Sequence, residues 1–336
     1  MGIKSLFDVL RKSARIFFEL FVLSWALCSC ATEGLNVKKT SLSYSKYLIG
    51  LVNDRLGTVD EAVKFYQEAK RLDRRAPTLY ARLGFDYIRL KKFNEAIAEF
   101  EKVIRLAPDD DYARYVLALL YVQLNDFRKS ADQYEKLLAK NLRNRSQNIQ
   151  LRRNLSQLYF LEGDYSSVKR HCTEILQWDP LDEDGLYMSA MIASEEGSTQ
   201  QAVEGFKEVL THYPDNVEAM NALAYLYAEK ERELDQALVL AEKAVEYDPF
   251  NGAYLDTLGW VYFKIGETDK AIEFLGRASK LMIDPTILNH LGEAYYKKEK
   301  LKEAKASWTL SLSLDPRQKD IRSKLKTLSS EHDVRF

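Results

Sequence analysis

The chain has 336 residues, 46% of them apolar, with only 14 glycines and 7 prolines. That is more chain than one ordinary compact core needs, and too little punctuation for an all-β fold, so long helices joined by short turns are expected. Lysine and arginine number 49 against 50 aspartates and glutamates, a balance that argues against a phosphate backbone as partner, and no nucleic acid is expected.

The first thirty residues read as an address. Lys4, Arg11, Lys12 and Arg15 open the chain, and an apolar run from Ile16 to Leu27 follows, interrupted by Glu19 and Ser24. The run is shorter than the roughly 20 apolar residues that span a bilayer, so a secretory signal peptide is the better reading than a permanent transmembrane helix. Leu27-Cys28-Ser29-Cys30 resembles the bacterial lipobox. That resemblance implies cleavage behind Ser29 and acylation (palmitate among the chains) of Cys30. Cys28 is the weaker candidate, because bulky Leu27 precedes it. An uncleaved signal anchor is the alternative. Ala31 after Cys30 implies, by the same resemblance, the outer membrane facing the periplasm. Residues 31–42 are then expected to be a polar tether, reaching at most about 40 Å.

A period of about 34 residues runs through the rest. Leu83-Gly84, Leu258-Gly259 and Leu291-Gly292 are followed at one offset by Tyr87, Tyr262 and Tyr295, and further on by Ala96, Ala271 and Ala304. These positions resemble the tetratricopeptide repeat (TPR), and the family implies an all-α array of about eight helical hairpins. The registers run near 43–76, 77–110, 111–144, 149–182, 183–216, 217–251, 252–284 and 285–318, with a capping helix and tail over 319–336.

The residue types fit that reading. Small residues such as Gly84 and Ala96 let two helices approach, while Tyr80 and Phe100 fill the gaps between hairpins. Prolines such as Pro108 and Pro316 stop a helix because they lack an N–H. No hairpin can bury its apolar face alone, so stability comes from stacking on neighbours. Ile321, Leu325 and Leu328 recur at helical spacing and supply a cover at one end. One joint is irregular. Leu142 stands where proline is expected and Arg145–Asn148 are extra, which predicts a longer connection.

In this family the first helix of each hairpin lines a concave wall and its outward positions meet partners. By resemblance those positions include Phe85, Tyr112, Tyr115, Arg153, Gln157, Tyr187, Met191, Asn221, Tyr225, Trp260, Phe263, Asn289 and Tyr296. Aromatic side chains give large contact area at low entropic cost. Tyr225, Trp260 and Tyr296 are expected to matter most, and their joint alanine substitution is expected to weaken capture while leaving helicity intact. Lys136, Lys140, Arg143, Arg145, Arg152 and Arg153 have no acid between them and read as a solvated basic face, or as a contact for an acidic partner, lipid headgroups or cell-wall polymer. Lys and Asn at the positions that clamp an acidic chaperone tail are missing from any three adjacent repeats, which excludes that partner.

Chemistry is sparse. His171, His212, His290 and His332 have no metal-ligand spacing, so no metal and no cofactor are expected. Cys172 falls at a packing position, where a thiol acts as a small hydrophobe. No catalytic residue is assigned and the chain is not expected to be an enzyme. Leu255-Asp256-Thr257-Leu258-Gly259-Trp260-Val261 and Asn289-His290-Leu291-Gly292-Glu293-Ala294 resemble the C-terminal repeats of bacterial outer-membrane TPR lipoproteins, some of which are adaptors of periplasmic carboxyl-terminal-processing proteases. The resemblance implies a membrane-anchored scaffold that gathers protein or peptide partners. Two alternatives stay open: a pilotin-like assembly factor for a pilus or secretin, and an enzyme with an unrecognised site. The sequence does not set the oligomeric state.

Overall fold

In the computed structural model of the chain, residues 34–140 and 144–333 are described. They form seventeen α-helices and no strand, so the fold class is all-α. The chain divides into two compact units, Met1–Gln133 and Tyr134–Phe336.

The first unit holds α1 (Gly34–Leu56), α2 (Val59–Leu72), α3 (Pro77–Arg89), α4 (Phe93–Leu106) and α5 (Asp111–Gln123), and the unit boundary falls inside α6 (Phe127–Lys140). α1 packs on α2 and α3 on α4 as antiparallel pairs, with α2 also meeting α3 and α4 meeting α5. Close approach depends on Gly84. A methyl there would stand 2.6 Å from the ring of Phe100. The core between α3, α4 and α5 is Tyr80, Phe100, Val103, Val116 and Leu117, each large side chain contributing about 1.5–3 kcal/mol on full burial.

The second unit continues with α7 (Arg145–Leu161), α8 (Tyr165–Trp178), α9 (Glu183–Glu195), α10 (Thr199–His212), α11 (Val217–Glu229), α12 (Leu234–Tyr247), α13 (Gly252–Ile265), α14 (Thr268–Leu281), α15 (Pro285–Lys297), α16 (Leu301–Leu314) and α17 (Lys319–Asp333). Its main core runs unbroken from Leu186 on α9 to Leu291 on α15, through Phe206, Leu223, Tyr227, Leu258 and Leu275. α17 lays Ile321, Leu325 and Leu328 against Ala304 and Trp308 of α16.

Local signals start and stop these helices. Asp110, Asn144, Asp164, Asp182, Asn216, Asn251 and Asp284 each accept a hydrogen bond from a backbone N–H of the first turn that follows, satisfying donors the helix leaves orphaned. Inside the hairpins the turn needs a left-handed residue. Gly57, Gly163, Gly197 and Gly266 supply it freely, while Lys91, Asn125, Glu231 and Glu299 adopt the same sign of φ at matching positions.

Three expectations need comment. The tether over 31–42 is not extended: residues 34–42 are the first part of α1, where helical hydrogen bonding continues upstream of the first repeat. Arg145–Asn148 are not a loop. Asn144 caps α7, and the extra residues form its added first turn. Leu142, Arg143, the apolar run 16–27 and Cys30 lie outside the described residues. Among the described residues no helix is long and apolar enough to cross a membrane.

Candidate interaction surface

In the first unit the outward positions of α3 and α5 bring aromatics together. Phe85 is half-buried, edge-on to Phe100 at 5.0 Å and 5.9 Å from Tyr112. Tyr112 and Tyr115 keep 37% and 38% of their surface exposed, and the covered part of the Tyr112 ring, with Asp110 nearby, pushes the Tyr112 phenol up to about 12. Sequence reading missed the acid beside Phe85. Asp86 is buried, 3.3 Å from Arg89, which also pairs with Asp54. Burial first, then the neighbouring Asp54 charge, pushes Asp86 up to about 7 against the pull of Arg89.

In the second unit Arg153 is committed internally. Its guanidinium bonds Asp182 and lies 3.2 Å from Asp184, tying α7 to the start of α9. Arg152 is buried, donates to Asn148 Oδ1 at 2.7 Å and pairs with Glu174 at 3.5 Å. These two arginines are therefore not a solvated basic face, because their charges are answered by acids that the sequence places on later helices. Gln157 is exposed, and Tyr187 and Met191 are half-buried. The Tyr187 ring leans on Phe206 at 5.8 Å, and burial pushes its phenol up to about 12.

The densest arrangement spans α11, α13 and α15. Trp260 is 7% exposed. Its ring stacks on His290 at 4.0 Å and on Phe263 at 4.9 Å, and its indole N–H donates to Glu229 at 2.6 Å. His290 is 4% exposed and its Nδ1 lies 3.0 Å from Asp256 Oδ1. A hydrogen bond to a charged partner of this kind contributes about 1.5–3 kcal/mol. Tyr225, half-buried, stands 6.2 Å from His290. Lys264 sits 4.8 Å from the Trp260 ring and Lys297 4.7 Å from the Phe263 ring, placing two cations on the faces of electron-rich rings. Tyr296 is exposed at the edge, 5.5 Å from Trp308. Asn221 and Asn289 are half-buried, and each carries a buried amide oxygen without a partner.

Six of these side chains were singled out from the sequence: Asn221, Tyr225, Trp260, Phe263, Asn289 and Tyr296. The structure brings Tyr225, Trp260 and Phe263 together about His290 and sets Tyr296 against Trp308. Asp256, His290, Glu229, Lys264 and Lys297 were missed. Asp256 and His290 are 34 residues apart, one repeat length, and that spacing was the available signal. Trp260 differs from the expectation in kind. Its ring is an internal stacking plate, so truncating it removes core and not only contact surface.

His171 and Cys172 diverge as helix geometry requires. His171 stacks on Tyr159 at 5.6 Å with Nε2 3.3 Å from Glu135. That hydrogen bond holds the Glu135 carboxyl below its ordinary range. The Cys172 thiol faces Ser156 at 3.7 Å, and burial pushes it up, the opposite of an activated nucleophile. Among the described residues no group of acids, histidines and cysteines is placed to hold a metal.

The described residues define an all-helical repeat protein whose second unit brings side chains of α11, α13 and α15 together. Tetratricopeptide repeat profiles match residues 43–75, 77–110, 115–167, 193–256, 253–281 and 285–318, which together take in most of the chain, and the chain belongs to the tetratricopeptide repeat family. A TPR repeat-containing protein of Pseudomonas aeruginosa is 30% identical over 144 residues, covering 41% of this chain and 24% of the relative. The BBSome complex member BBS4 of Bos taurus is 22% identical, covering 66% of this chain and 42% of the relative. The chain thus spans less than half the length of these curated relatives. A tetratricopeptide repeat protein from Parabacteroides merdae superposes with TM-score 0.60 at 14% identity, over 75% of this chain and 98% of that one. The APC/C hetero-tetramer Cut9-Hcn1 superposes with TM-score 0.55 at 13% identity, over 87% and 70%. At such identity these likenesses establish the fold alone. TPR proteins are generally protein-interaction scaffolds.

Proposed function

We propose that the chain is a membrane-anchored scaffold of the bacterial envelope that holds a partner polypeptide along α11, α13 and α15. The observation that carries this reading is the aromatic band of Tyr225 and Phe263 about the buried Trp260–His290 stack and its Asp256 partner, with exposed Tyr296 further along α15. Rigid aromatics supply contact area at low entropic cost. Trp260 and His290 keep the band in place. A scaffold of this kind acts by raising the effective concentration of what it holds, without making or breaking a bond.

The finer role is that of an adaptor bringing substrates to a periplasmic protease or cell-wall enzyme, and it rests on the lipobox-like Leu27-Cys28-Ser29-Cys30 together with that band. Two measurements test it. Radiolabelled palmitate should enter the protein and be lost in Cys30→Ala; failure to label removes the anchor and the location with it. Pull-down from detergent-solubilised envelopes should recover a protease or cell-wall enzyme, and Tyr225→Ala/Phe263→Ala/Tyr296→Ala should lower recovery at least tenfold with helicity unchanged. Equal recovery by the triple variant sinks the band as the binding surface.

A further inference from the structure

A terminal hairpin of a stacked array has one side with no neighbour, and a polar outer surface keeps such an end in solution. α17 meets that requirement. It lays Ile321 and Leu328 against Trp308, and its exposed positions include Lys319, Arg322, Ser323 and Lys326. α1 does not. Its inner side is packed on α2: Ser43 is buried and donates to the Ala69 carbonyl at 3.0 Å, the Tyr47 ring stands 5.7 Å from that of Tyr66, and a methyl at Gly50 would fall 2.6 Å from the Tyr66 ring. The other side carries Leu42, Tyr44, Leu48, Ile49, Val52 and Leu56, each at least 38% exposed. Leu48, Val52 and Leu56 follow one another at single turns, with Leu42 and Ile49 beside them. A helix apolar on both sides is suited to burial on both sides.

The exposed charges of α1 are of one sign. Lys38 and Lys39 precede the apolar positions and Arg55 lies among them, all three exposed. Asp54, the one acid in α1, pairs with Arg89. Asp60 is exposed at the start of α2, and Glu61 beside it pairs with Lys64. A second copy of α1 laid on the first would bring like charges together. In the same direction each cation meets its own counterpart, and in the opposite direction Lys38 and Lys39 meet the end that carries Arg55. An anionic surface gains from all three. Position points the same way. α1 begins at Gly34, four residues after Cys30, so no more than about 14 Å of extended chain separates the two.

We propose that α1 lies along the surface of the bilayer, with Leu48, Val52 and Leu56 among the acyl chains and Lys38, Lys39 and Arg55 on anionic headgroups. Helices of this kind bury their apolar side at the headgroup boundary and hold by apolar area and charge together. Lysine and arginine reach the headgroups with their charged tips while their stems lie along apolar surface. Lipid thereby covers the end of the repeat series that has no polar cover of its own. The contact is a second hold beside the acyl chains at Cys30, and it fixes which side of the first hairpin faces the membrane.

The inference rests on the reading of the chain as anchored at Cys30, but the two fail separately. The full chain is purified from envelopes with a fluorescent coumarin amino acid at position 52, where Val52 is 56% exposed and the label displaces no packing. It is reconstituted in vesicles of phosphatidylethanolamine and phosphatidylglycerol. Quenching by brominated acyl chains reports contact with the bilayer, and quenching by iodide reports contact with water. The expected result is lipid quenching at least fivefold stronger at position 52 than at position 239, a comparably exposed valine of α12, with iodide quenching in the reverse order. Phosphatidylcholine in place of phosphatidylglycerol should weaken the lipid quenching at least threefold, and Leu48→Glu/Leu56→Glu should return the label to iodide with helicity unchanged. Equal iodide quenching at the two positions overturns the proposal. So does protection from both quenchers, which would assign this side of α1 to protein, either residues 1–33 or a second copy. Lipid quenching unchanged in phosphatidylcholine, or kept by Leu48→Glu/Leu56→Glu, has the same force. Palmitate incorporation decides the anchor on its own: an acylated protein with position 52 in water keeps the anchor and ends this proposal, and an unacylated one with position 52 in lipid does the reverse.

Discussion

Asp86 offers a test of how the first unit balances burial against charge. Its carboxyl sits in α3 with an exposure of 1%, and burial together with Asp54 raises it from 3.8 to about 7. A carboxyl raised in the fold contributes stability that is full below about 3.8, where both folded and unfolded forms are protonated. That contribution declines as pH rises and is gone above about 7. A rise of that size corresponds to about 4 kcal/mol if undiminished. Partial solvation screens the site, so a loss of about 2 kcal/mol between pH 4 and pH 8 is expected. Asp86→Asn keeps the shape and removes the titration. Urea unfolding of both proteins across that range, followed by far-ultraviolet circular dichroism, measures the difference at each pH. Titrating groups remote from Asp54 and Asp86 cancel in the comparison. The variant should gain on the parent steadily from pH 4 to about pH 7 and hold its gain above. Parallel stability curves would show that Asp86 is ionised in the fold, and the reasoning from its burial would be wrong.

Three further outcomes are expected. Trp260→Ala should destabilise the second unit by about 3–5 kcal/mol, as loss of a buried indole does, seen as a lower midpoint in urea with earlier exchange of α13 and α15 amides. Gly292→Ala pits helix propensity, worth about 1 kcal/mol in alanine's favour, against a methyl 2.3 Å from the Trp308 indole nitrogen. Trp308 is buried at 1% exposure and cannot swing aside, so the clash should win with a net loss of about 1–3 kcal/mol in thermal unfolding. Glu299→Gly, at φ 59°, should stabilise by about 0.5–1 kcal/mol by relieving a left-handed side-chain residue, read as a higher thermal midpoint.

Much of the fold was legible because its grammar is local. Gly84 facing Phe100 and Gly292 facing Trp308 are pairs that the repeat spacing put in register. What stayed hidden was pairing between hairpins. Arg152 and Arg153 looked like a charged surface because Glu174, Asp182 and Asp184 lie well downstream in the chain, and only stacking brings them near. His290 looked isolated for the same reason. Nothing in a single repeat says that its neighbour offers Asp256, and nothing marks Trp260 as a plate between two rings and not an outward contact. The tether was misjudged because polar residues at 34–42 fit a helix as well as a linker, and helix once started by the first repeat extends upstream at little cost.

The interval of 34 residues that joins Asp256 to His290 has a further consequence. In an array where side chains meet their counterparts one unit along, a hairpin gained or lost by gene duplication usually leaves the survivors with familiar company, so such proteins drift in length readily. That freedom is restricted between residues 217 and 297. An acid on one hairpin, an imidazole on the next and the indole between them are a matched set, and inserting a generic unit there would strand a carboxylate and a ring in the interior. Length variation among related chains should therefore concentrate on hairpins other than these three.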